Sequence, residues 1–63
     1  MAVLPNTGKR ITERSERLQS HAAMYDRALN RGNLEAMSRE LTIIRDEAKD
    51  LLDLLDPLVH LTP

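Results

Sequence analysis

The sequence predicts an all-α protein: an antiparallel two-helix hairpin that dimerises into a four-helix bundle. Three observations carry this expectation. Leu34, Met37, Leu41, Ile44, Ala48, Leu51, Leu55 and Leu58 recur at alternating intervals of three and four residues, the apolar seam of a helix packed on other helices. Asn30-Arg31-Gly32-Asn33 sets a helix stop, a left-handed glycine and a new N-cap side by side, and so short a turn makes antiparallel neighbours. The chain has 63 residues, no Cys and one aromatic residue, Tyr25. A domain of that size removes only about 60% of its unfolded surface from water, and association is the supplement left when disulfides and thiolate metal sites are absent.

The first helix is expected over about residues 9–30. Ile11, Leu18, Ala22, Tyr25 and Leu29 share a face, with Ser15 at the one polar position of that stripe. Ala22, Ala23 and Ala28 favour helix and allow close backbone approach. The turn falls at 31–33, and the second helix is expected over about 34–56. Asn33 is its N-cap and Glu35 sits at the positive end of its dipole. Pro57 is expected to end it, because the ring disfavours helical geometry at Asp56 and removes an amide donor, the alternative being that Asp56-Pro57 caps a short new turn running through Leu61. Residues 1–8 and 57–63 read as tails, and the whole is a single domain.

If the chain reverses near Gly32, residues facing each other across the hairpin have numbers that sum to about 64. Leu18 then meets Ile44 and Ala48, and Ile11 meets Leu51 and Leu55. The same register explains an uneven charge distribution. Residues 1–32 hold six Lys/Arg and three Asp/Glu, whereas residues 33–63 hold three and seven. Lys9, Arg10, Arg14 and Arg17 form a basic row, level with Asp46, Glu47, Asp50 and Asp53. They are either complementary flanks of one hairpin or a nucleic-acid-binding row.

The second helix carries more apolar surface than one partner helix covers. Beyond the seam it bears Ile43, Leu52, Leu54, Val59 and Leu61, mostly after Ala48. A protein interface is therefore expected at Ile43, Leu51, Leu52, Leu54, Leu55, Leu58 and Val59, since large apolar patches mark interaction sites. Val3, Leu4 and the segment from Pro57 to Pro63 could fold back over part of it.

Chemistry is scarce. His21 and His60 have no His or Cys partner at metal-ligand spacing. Thr7-Gly8-Lys9 lacks the upstream glycine and strand of a phosphate loop. The carboxylates at 46, 47, 50, 53 and 56 lie on a helix without the oxygen-rich loop of a cation cage. No catalytic residue, cofactor site or metal site is expected, and two helices leave little volume for a small-molecule pocket. Residues 2–4 are too short an apolar run for a signal-peptide core, and Asp53, Asp56 and Pro57 interrupt the richest one. A cytoplasmic chain without a membrane span is expected.

The function these features favour is a non-enzymatic homodimeric regulator or inhibitor that binds a larger protein through an apolar helix face. Two alternatives remain. One is a four-helix-bundle RNA-binding regulator using the basic row; this length and shape resemble the dimeric RNA-binding hairpins that modulate plasmid replication, with no shared sequence motif. The other is a secretion-type co-chaperone that shields apolar helices of its substrates.

Overall fold

The computed structural model describes residues 5–60 as two helices, α1 (Pro5–Arg31) and α2 (Leu34–Val59), packed against each other as an antiparallel hairpin. The reversal is built as the sequence predicts. Gly32 adopts φ +66°, and its N–H bonds the Leu29 carbonyl at 3.1 Å while the Asn33 N–H reaches back to Ala28 at 2.9 Å. This pair of bonds satisfies carbonyls that the end of α1 leaves open. Asn33 then serves a second time, its Oδ1 accepting from the Ala36 N–H at 3.1 Å as the N-cap of α2.

Both helices outrun their predicted bounds. α1 begins at Pro5, where the fixed φ suits a first turn and the missing N–H costs nothing. Gly8 therefore lies inside the helix, and its carbonyl accepts from the Thr12 hydroxyl at 3.0 Å. Ser15, the polar member of the apolar stripe, is satisfied in the same way by the Ile11 carbonyl at 2.7 Å. Pro57 does not end α2; it lies within it. A proline near a helix end forfeits a single backbone bond, and the next turn closes when the His60 N–H bonds the Asp56 carbonyl at 3.1 Å. That extra turn keeps Leu58 half-buried. Residues 5–8 and 57–59 are thus helix rather than tail, while the suggested covering by Val3, Leu4 and Leu61 falls outside the described residues.

The hairpin is long and thin, 47 × 18 × 14 Å, with a radius of gyration of 14.6 Å. A compact chain of this length would have about 11 Å. Two helices side by side cannot surround a core, and among the described residues only Ala28 (6% exposed) and Glu40 (8%) are buried.

Candidate interaction surface

The register across the hairpin is the expected one. Arg14 Nη1 donates to Asp50 Oδ2 at 2.9 Å and stands 4.0 Å from Glu47 Oε2, and Arg17 lies 3.9 Å from Glu47 Oε1. Of the basic row, these two are paired with the acidic flank of α2. Lys9 and Arg10 have no carboxylate within 4.0 Å among the described residues. One turn further along, His21 Nδ1 is 2.7 Å from Glu40 Oε1. With the carboxylate ionised, the imidazole is the donor through that nitrogen. His21 is therefore a structural partner of Glu40, whereas His60 caps the end of α2 against Asp56.

These contacts fix how α2 is rotated, and the rotation differs from the one its seam implies. The residues of α2 turned toward α1 are Met37, Glu40, Ile43, Ile44, Glu47, Leu51, Leu54 and Leu58, all buried or half-buried. Glu40 and Glu47 thus occupy inward positions because His21, Arg14 and Arg17 meet them there. Two members of the seam, Leu41 and Leu34, are instead 48% and 75% exposed. The expected interface residues divide accordingly. Ile43, Leu51, Leu54 and Leu58 are half-buried, while Leu52, Leu55 and Val59 remain exposed at 65%, 37% and 64%.

The two sides of the hairpin are chemically unlike. On one side, Met24, Arg27 and Arg31 of α1 border a common groove with Ala36 and Arg39 of α2, and the Arg14, Arg17 and His21 pairs continue along it. About 100° further round each helix, on the other side, α1 presents Leu18, Ala22, Tyr25 and Leu29. There α2 presents Leu34, Leu41, Ala48, Leu52, Leu55 and Val59, beside the inward Met37 and Ile44. Both apolar stripes therefore lie on one side of the molecule and form a single face.

No three His, Cys, Asp or Glu side chains are grouped as a metal site among the described residues. No described helix is long and apolar enough to cross a membrane. Comparisons with protein-family models, curated proteins and solved structures find no match to this chain.

Proposed function

We propose that this chain is a non-enzymatic interaction module that works as a homodimer, two hairpins closing their apolar faces on each other as a four-helix bundle, and that it regulates a larger protein by binding it. The observation that supports this reading is the single apolar face formed by the stripes of both helices. In a four-helix bundle each seam points at the bundle axis, between two neighbouring helices, rather than straight at one neighbour. Leu41 and Leu55 turned outward, with Glu40 and Glu47 turned toward α1, leaves the apolar seam free to point at such an axis.

The exposed area is also of the right size. The accessible surface is 5057 Å², against about 4,100 Å² for a compact globular chain of 7.2 kDa. The excess is about 950 Å² per chain, and specific interfaces remove roughly 800 Å² from each partner. A second copy is favoured as occupant because it supplies a face of identical width and length, as a two-fold interface requires.

The RNA-binding alternative loses support here, since Arg14 and Arg17 are already engaged by carboxylates and Tyr25 lies on the apolar side. The test is the melting of wild-type, Leu41→Glu and Leu52→Glu chains by circular dichroism over a concentration series. Wild-type helix should melt at a temperature that rises with concentration. Both variants should lose helix content at low concentration and regain it as concentration increases. Concentration-independent melting in all three would overturn the reading.

A further inference from the structure

The groove on the polar side, of about 360 Å³, is framed by the guanidinium side chains of Arg27, Arg31 and Arg39 over a floor that includes Ala28 and Ala36, with Met24 also in its wall. None of the three arginines has a carboxylate within 4.0 Å among the described residues, although every arginine further along the same side that meets α2 is paired. Glu40, the carboxylate in the groove wall, is taken by His21 at 2.7 Å. Three cations thus converge on one concavity with no anion of their own to meet.

From this we infer that the groove is a docking site for a short acidic segment of a partner protein, its carboxylates held by Arg27, Arg31 and Arg39 and an apolar side chain seated against Met24 and Ala36. Guanidinium is suited to the role because its fork matches a carboxylate with two parallel hydrogen bonds. Small residues at 28 and 36 leave the backbone near enough for a side chain to sink between the helices, and the Met24 side chain adapts to irregular apolar groups.

A bound nucleic acid fits the same surface poorly. Tracking a phosphate backbone needs cations spread along the molecule, whereas these three lie at the turn end and the next two along α1, Arg17 and Arg14, are paired with Glu47 and Asp50. The net charge of −1 supplies no general attraction to a polyanion. The site lies on the side away from the apolar face and stays open in the proposed dimer. In taking the partner to be the regulated protein, the inference rests on the interaction-module reading; the binding chemistry does not.

The experiment is a fluorescence-anisotropy titration of the intact chain against a short fluorescein-labelled peptide of glutamate and leucine. A lysine–leucine peptide and a labelled single-stranded oligonucleotide serve as the other arms. Saturable binding of the acidic peptide is expected, weakening as salt rises. Arg39→Glu and the double variant Arg27→Ala/Arg31→Ala should each weaken it by about tenfold or more. All three side chains are on the surface, so circular dichroism of the variants should match wild type, and sedimentation of the same samples reports dimerisation separately. No binding at millimolar peptide, or affinity unchanged in both variants, would overturn the assignment. Tighter binding of the oligonucleotide that both variants abolish would overturn it in favour of nucleic acid.

Discussion

Glu40 is the residue on which the rotation of the hairpin turns. Its side chain is buried between the helices, and among the described residues its partner is His21. Removing one member of such a pair leaves the other without water or partner, at a cost of about 1–3 kcal/mol. His21→Ala should therefore lower stability by that amount in urea melts. Replacing the pair together, as His21→Leu/Glu40→Leu, should be near neutral or stabilising, because an apolar pair needs no desolvation. A single variant as stable as wild type would show that the pair does not hold the helices. Arg14 stands differently. It divides its guanidinium between Asp50 and a Glu47 whose Oε2 accepts no hydrogen bond, and partial exposure limits such a pair to ~0–1 kcal/mol. The arginine row sets register more than it adds stability.

At the scale of elements, the turn was legible before any coordinates, because each of its residues has a local conformational reason to be there. Gly32 lies at φ +66° with nothing within 4 Å of where a Cβ would stand. Gly32→Ala should thus cost about 1 kcal/mol from backbone conformation alone, readable as a small drop in melting temperature with helix content unchanged at low temperature. A loss several times larger would mean that the turn packs against something.

The register was legible too, since reversal at Gly32 pairs Arg14 with Asp50 by counting. What the pattern of apolar residues hid was rotation. A three–four repeat names the stripe that seeks burial but not how that stripe is turned relative to the partner helix. Glu47 is legible as part of the acidic flank level with the basic row, whereas nothing in the apolar pattern marks Glu40, and the facing His21, Arg14 and Arg17 make both inward residues. Pro57 misled for a similar reason, since its local penalty is small where a single bond is lost. The groove carried a signal that the same counting rule could have found: Arg27 faces Arg39, and Arg31 lies one turn beyond Arg27 on the same helix.

At the scale of the whole molecule, two features belong together: a radius of gyration of 14.6 Å and a described interior of one alanine and one glutamate. Ordering each residue costs about 1–2 kcal/mol of backbone entropy. Fully burying a leucine returns about 1.5–3 kcal/mol, and in the lone hairpin Leu34, Leu41, Leu52 and Val59 are left largely in water. In the proposed dimer, folding and association would be one event, as in obligate homodimers whose protomers have no stable folded state of their own. The division of the surface follows from this. On the proposed reading, the apolar side would be taken up in the dimer, and the polar side, with its charged pairs and arginine groove, would be left for recognition.

Sedimentation equilibrium of the wild-type chain at micromolar concentration, with helix content recorded on the same samples, tests the central claim most directly. A mass of about twice the 7.2 kDa of one chain is expected, with helix content that falls on dilution together with the mass. A fully helical species at the mass of a single chain, unchanged on dilution, would contradict it.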